Sequence, residues 1–274
     1  MSRCKTIAIC TQKGGSGKTA AAVNLSIGLA RQGEKVLLVD SDPQSDATAS
    51  LGFRNSDSFD VTLSTLMLKI IQNQPIAKGE GVLRHDEGID LVPANLELSV
   101  MEMQLVVAMS RETILRNYLQ TVKSQYSYVI IDCMPSLGMI TINALAAADS
   151  VIIPVQAQYL PAKGMTQLLQ TIGQVRQGIN PNLKVEGILL TLADMRTNLA
   201  RNTAALIRET YGNSLRIYDT IIPLAVKAAE SSSTGKSIYT YDKNSKVALA
   251  YEQFTKEVNG DGRQRGAKVR DSGR

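Results

Sequence analysis

The residues best suited to chemistry lie in the run Thr11-Gln-Lys-Gly-Gly-Ser-Gly-Lys-Thr19. Gly14, Gly15 and Gly17 free the backbone to turn successive N–H groups toward one anion, and a helix starting there adds its positive end. Lys18 supplies a point charge for phosphates, and Thr19 stands where a hydroxyl ligand to Mg²⁺ belongs. The implied chemistry is binding of a nucleoside triphosphate with magnesium, by Gly14, Gly15, Ser16, Gly17, Lys18, Thr19 and Ala20. Two acidic stretches could serve the same phosphates. Asp40-Ser-Asp-Pro-Gln-Ser-Asp46 offers carboxylates that hold Mg²⁺ through water or orient an attacking water, and Asp132 ends the apolar run Tyr128-Val-Ile-Ile. An aspartate carried by an apolar strand to the edge where a phosphate loop sits is suited to a metal's water shell.

The usual phosphate loop has a glycine where this chain has Gln12, and no second lysine such as Lys13. The run Lys13-Gly-Gly-Ser-Gly-Lys-Thr19 resembles the deviant Walker A motif of the ParA/MinD family, in which the first lysine reaches across a dimer to the partner's nucleotide. Two triphosphates facing each other repel, and a lysine delivered in trans offsets that repulsion only when both sites are full. Val39-Asp-Ser-Asp-Pro-Gln44 resembles the family's second acidic motif. The resemblance gives Asp42 the hydrolytic water and Asp40 a supporting place near the lysine and metal, although Ser45 and Asp46 replace the commoner Gly-Asn. Asp132-Cys-Met-Pro-Ser-Leu-Gly138 resembles the family's Asp-Cys-Pro-Pro-Ser-Leu-Gly, with Met134 in place of a proline. By resemblance alone, Asp194 and Pro223 fall where relatives contact adenine. The expected catalytic set is Lys13, Lys18 and Asp42; the expected metal set is Thr19, Asp132 and Asp40; the cofactors are ATP and Mg²⁺.

These groups need strands, loops and helices that bring them to one edge. Residues 5–10 form an apolar, β-branched run that stops at glycines and restarts as an Ala-rich helix over 20–32, with Val23, Ile27 and Ala30 on one face and Gly33 as its stop. Residues 35–40 read as a second buried strand at βαβ spacing, which sets Asp42 at the carboxyl edge of a sheet. Further strands are expected at 91–93, 128–132, 151–155, 184–191 and 220–223, and helices at 63–71, 97–108, 111–124, 164–177, 198–211 and 246–258. Residues 52–88 read as a polar peripheral segment that holds His85, the only histidine. The fold expected is α/β, a three-layer, mostly parallel twisted sheet with helices on both faces, of the P-loop NTPase kind. Residues 1–258 are expected to form one ATPase domain, and 259–274 a basic, disordered tail.

The 274 residues, 44% of them hydrophobic, suffice for one large buried core. The absence of a bilayer-length apolar run and of a signal-like N-terminus points to a cytoplasmic protein. Cys4, Cys10 and Cys133 have no paired spacing, which argues against a disulfide framework or zinc cluster; the thiols in or beside strands read as buried and inert. The whole net charge of +5 falls in residues 184–274, where fifteen basic residues meet ten acidic ones. Such an asymmetry suits a polyanion. Lys227, Lys236, Lys243 and Lys246 cluster in sequence, and Arg263, Arg265, Lys268, Arg270 and Arg274 follow in the tail. Relatives use this region for nonspecific DNA, but the first two family arginines are Leu224 and Lys227 here.

The resemblance therefore implies a ParA-type partition ATPase. It would pair as a homodimer with ATP, bind DNA without sequence preference, associate with the nucleoid, and be switched off when a ParB-like centromere-binding protein stimulates hydrolysis. A MinD-like membrane ATPase, or another cargo-positioning ATPase, would use the same motor. The membrane reading needs an amphipathic apolar C-terminal helix that the Arg/Gly/Asp tail lacks, so no membrane partner is expected. An iron–sulfur reductase would need a second cysteine accompanying Cys133.

Overall fold

The computed structural model describes residues 4–157 and 162–271, with side chains at all of these but 162 and 261–271. Its centre is an eight-stranded sheet in the order β3-β4-β2-β5-β1-β6-β7-β8, formed by β1 (Lys5–Ile9), β2 (Val36–Ser41), β3 (Leu83–Arg84), β4 (Asp90–Val92), β5 (Tyr128–Cys133), β6 (Ser150–Gln156), β7 (Lys184–Ala193) and β8 (Ile217–Pro223). Every pairing is parallel except that of β3 with β4, which closes one edge. Parallel strands need crossovers, and the intervening segments supply helices that cover both faces.

Alternation along the buried strands divides the core in two. Ala8, Leu37, Val39, Val129 and Ile131 face one layer, whereas Ile7, Ile9, Leu38 and Ile130 face the other. The first layer is covered by α3 (Leu63–Ile71), α4 (Leu98–Val107), α5 (Ile114–Val122), α6 (Met139–Ala147) and α7 (Ala162–Gly178), which bring in Leu66, Leu105, Tyr118, Ala144 and Ile172. The second is covered by α1 (Lys18–Arg31), α11 (Lys246–Asp271) and the short helix Ile238–Tyr241, packed so closely that a Cβ on Gly28 would lie 2.7 Å from the Tyr239 hydroxyl and closer still to Thr255 of α11. This is the expected three-layer α/β fold.

The sequence reading and the structure differ at element ends and in short elements the reading did not expect: β3 and helices at Asp46–Ser50, Val226–Ser233 and Ile238–Tyr241. The last helix does not stop at Val258 but continues to Asp271, through most of the stretch expected to be a disordered tail. Val247, Ala248, Tyr251, Phe254 and Val258 bury one face of its first half, and a helix so anchored adds a backbone hydrogen bond for each further residue at little cost. Arg274, the last basic residue of the expected tail, lies outside the described residues. Among the described residues, no helix is long and apolar enough to cross a membrane.

Candidate nucleotide and catalytic site

The sheet order brings the C-terminal ends of β2, β5 and β1 side by side, with Asp40 in register with Asp132 and Asp132 in register with Ile9. The glycine loop thus opens beside both acidic strand ends, in the crevice where open parallel sheets bind ligands. Gly15 and Gly17 adopt φ of 68° and 79°, a left-handed backbone that favours glycine. Gly14 and Gly15 are exposed, and a Cβ on either would meet nothing within 4 Å, so this side of the loop is open. From behind, the Thr191 hydroxyl donates to the Ser16 carbonyl at 2.7 Å, and Leu192 beside it holds a left-handed φ of 51°. A left-handed leucine costs energy, and it sits where β7 turns away under the loop.

The two lysines of the loop are divided by burial. Lys18, the first residue of α1, is 7% exposed, whereas the Lys13 side chain lies at the surface and donates to Gln156 Oε1 at 3.1 Å. One amine serves the inside of the loop and the other faces outward.

The two strand-end carboxylates also differ. Both are wholly buried. Asp40 is fully engaged by its own loop: Oδ2 accepts from the Thr48 amide at 2.8 Å and the Thr48 hydroxyl at 2.7 Å, and Oδ1 from the Asp42 amide at 3.2 Å. Burial raises its pKa to about 6, with Thr48 opposing. Neither oxygen of Asp132 has a hydrogen bond of ordinary geometry. Burial and then Asp40 hold its pKa well above the usual carboxylate range, while the Thr19 hydroxyl and Lys18 pull it down.

An orphaned buried carboxylate beside a threonine hydroxyl and an ammonium fits a magnesium ion that keeps most of its water and takes the rest of its shell from phosphate. That fit is consistent with the absence, among the described residues, of any group of three His, Cys, Asp or Glu side chains able to hold a metal alone. Thr19 and Asp132 are the side chains that would face such an ion. Asp40 commits three acceptor positions to its own loop, which suits the supporting place that the resemblance gives it.

Asp42 is 8% exposed and accepts the Gln44 amide at 3.0 Å through Oδ1. Ser45 follows with a φ of 52°, which explains why a glycine-like residue suits that position. Asp194 and Pro223 lie together at the ends of β7 and β8, where Ala193 is in register with Pro223 and its carbonyl accepts the Leu224 amide at 3.2 Å. The Asp194 carboxylate is gripped by Arg196 at 2.8 and 2.9 Å, and this pairing lowers its pKa to about 2. A nucleotide base at this edge would have to displace that arginine to reach Asp194.

Ser16 Oγ, expected in the site, is buried without a hydrogen-bond partner in the loop itself. Three contributors escape sequence reading. Thr48 and Gln156 hold Asp40 and Lys13 from distant elements, where only a three-dimensional contact identifies them. Glu102 on α4 accepts the Met139 amide at 2.5 Å, so it caps α6 directly after the Asp132 loop. In the basic region, Lys227 pairs with Asp242, whereas Lys236, Lys243 and Lys246 are exposed.

Residues 4–185 match the family model described as AAA domain. The chain is 42% identical over 258 residues to the sporulation initiation inhibitor protein Soj of Bacillus subtilis, covering 94% of this chain and 99% of Soj. It is 36% identical over 267 residues to the chromosome partitioning protein ParA of Caulobacter vibrioides, covering 97% of each. Among solved structures, one of a Mycobacterium smegmatis protein titled cobyrinic acid a,c-diamide synthase, with bound ATP analogue and magnesium, superposes with a TM-score of 0.80 at 35% identity, covering 92% of this chain and 93% of that one. With a phosphate loop, two lysines divided by burial and an orphaned carboxylate at one sheet edge, this chain belongs to the Soj/ParA family of partition ATPases.

Proposed function

We propose that the protein is a nucleotide-timed DNA-segregation switch, carried above all by the exposure of Lys13 on the loop whose Lys18 is buried. ATP with Mg²⁺ occupies the crevice, held by the loop amides, Lys18 and Thr19. The metal, when bound, neutralises charge developing on the phosphates. Asp42 orients the attacking water, and Asp132 fixes the metal's water shell. Lys13, facing outward from the loop, reaches the phosphates of a second copy, so occupancy and pairing become one event.

The paired form binds DNA through phosphate contacts from Lys236, Lys243, Lys246 and the basic residues of the last helix, with Lys227 contributing less because Asp242 already pairs with it. A ParB-like DNA-bound protein stimulates hydrolysis and releases the dimer, and the protein works in the cytoplasm on the nucleoid. The charge asymmetry supports this reading over the membrane one.

The deciding experiment measures binding to a nonspecific duplex and to anionic liposomes with ADP, ATP and a nonhydrolysable analogue over a salt series. DNA binding with ATP is expected, weakening by at least about 10³-fold between 50 and 200 mM salt if six or more phosphates are contacted. Liposome binding without DNA binding overturns the assignment. Lys13→Ala is expected to bind ATP yet stay monomeric in light scattering, and Asp42→Ala to trap an ATP-bound dimer with little turnover. A Lys13→Ala protein that dimerises and hydrolyses like the parent removes the trans role.

A further inference from the structure

Cys10 and Cys133 are far apart in sequence but meet in the sheet. Cys10 directly follows β1 and precedes the phosphate loop; Cys133 directly follows Asp132. The two positions lie one step beyond the registered pair Ile9 and Asp132, which places their backbones about 4.8 Å apart across a parallel ladder. Both side chains point into the same core layer, each is 1% exposed, and their sulfurs are 2.8 Å apart. Both are free thiols, as is the half-buried Cys4.

We propose that Cys10 and Cys133 form a two-thiol oxidation site that closes to a disulfide and arrests the ATPase. The backbone spacing lies within the range a disulfide accepts, so closure needs no strand to cross the sheet. Peroxide is the oxidant. It converts one thiol to a sulfenic acid and leaves as water; the other sulfur then attacks the sulfenic sulfur, the S–O bond breaks, and a second water departs. Two thiols lose two electrons, and one peroxide is reduced to two waters. Burial makes the step slow, so sustained oxidant is required and brief exposure spares the enzyme.

The consequence follows from position. The Cys10 amide donates to the Ile152 carbonyl at 3.1 Å, and the Ser41 hydroxyl donates to the Asp132 carbonyl at 2.8 Å, so both thiols sit on strand ends already tied to their neighbours. Closing the sulfurs from 2.8 Å to the roughly 2.05 Å of a disulfide resets the side-chain torsions of two residues that directly adjoin the phosphate loop and Asp132. A covalent tie there restrains both groups, and catalytic geometry tolerates departures of only about 0.5 Å.

The test treats the full-length protein with hydrogen peroxide, then reads the intact mass without reductant, the linked peptides, the ATPase rate and the ATP affinity. The parent and Cys4→Ala are expected to lose about 2 Da, to yield a peptide linking Cys10 to Cys133, and to lose at least about tenfold in turnover, restored by dithiothreitol. Cys10→Ala is expected to keep its rate through the same treatment. The proposal falls if Cys4 is oxidised while Cys10 and Cys133 stay unlinked, or if the link forms and turnover stays within about twofold. The linked peptide is detected whether or not the protein hydrolyses ATP, so the oxidation chemistry and the ATPase reading fail separately.

Discussion

Asp40 and Asp132 sit opposite each other at the ends of neighbouring strands, both wholly buried, and their surroundings could hardly differ more. The first is met by three donors of its own loop, and the second by no hydrogen bond of ordinary geometry. A satisfied buried carboxylate stabilises the loop it holds, whereas an orphaned one destabilises the protein until something arrives to neutralise it. The pair sets a carboxylate with its hydrogen bonds made beside one without them, within a single sheet edge. Substitutions at the two positions should therefore move stability and activity in opposite directions.

The largest effect is expected at the orphan. Asp132→Asn removes the charge that secures the metal, a group worth several kcal/mol, and should lower magnesium-dependent phosphate release by on the order of 10²-fold or more. In urea without nucleotide the same variant should unfold no more easily than the parent, because it gives up a carboxylate whose charged form burial disfavours. A variant that loses activity and stability together would show that Asp132 is a structural acid like its neighbour.

Asp40→Ala should do the reverse. It strands the amide and hydroxyl of Thr48 and the amide of Asp42, each otherwise bonded, and should cost about 3 kcal/mol in urea unfolding. Activity should fall only through displacement of Asp42, so the fraction still folded should bind ATP. Thr48→Val tests the same contact more gently. It removes the hydroxyl that Asp40 accepts at 2.7 Å and that the Ala94 amide donates to at 3.3 Å, and should cost about 1–2 kcal/mol.

How much of this contrast was legible in the sequence depends on whether its cause is local. Three glycines, two lysines and a threonine in nine positions define the phosphate loop without any fold, because the turn and the charge placement are fixed by neighbours in the chain. Every strand but the two-residue β3 was equally legible, since runs such as Val36 to Val39 are apolar throughout and end near glycines or prolines. The status of Asp40 was not legible, because Thr48 belongs to a short helix, α2 (Asp46–Ser50), that no periodicity announces. Nor could spacing reveal that Cys10 meets Cys133, since their contact depends on which strands are neighbours. The end of the last helix was missed for a related reason: the glycines there suggested a break, but the anchored turns before them carry the helix onward.

The smallest and most specific effect is on pH dependence. The Asp40 carboxyl titrates near 6 in the folded protein, against an ordinary value of 3.8 in the unfolded chain. An acid whose folded pKa is raised binds its proton more tightly when folded, so its contribution to unfolding free energy grows as pH falls from about 6 toward about 4, and is lost as pH rises back through 6. The full span corresponds to about 3 kcal/mol, an order-of-magnitude figure. Other carboxylates titrate over the same interval, and Asp132 would add a contribution of the same sign. The clean measurement is therefore the difference between Asp132→Asn and the double variant Asp132→Asn/Asp40→Asn, taken by urea unfolding without nucleotide or magnesium at several values between pH 4 and 7. The double variant should gain on the single one as pH rises, because the asparagine carries no buried charge to penalise. A difference that stays flat across the interval would mean that the three donors around Asp40 already offset its burial, and that the contrast with Asp132 is even sharper than the titration implies.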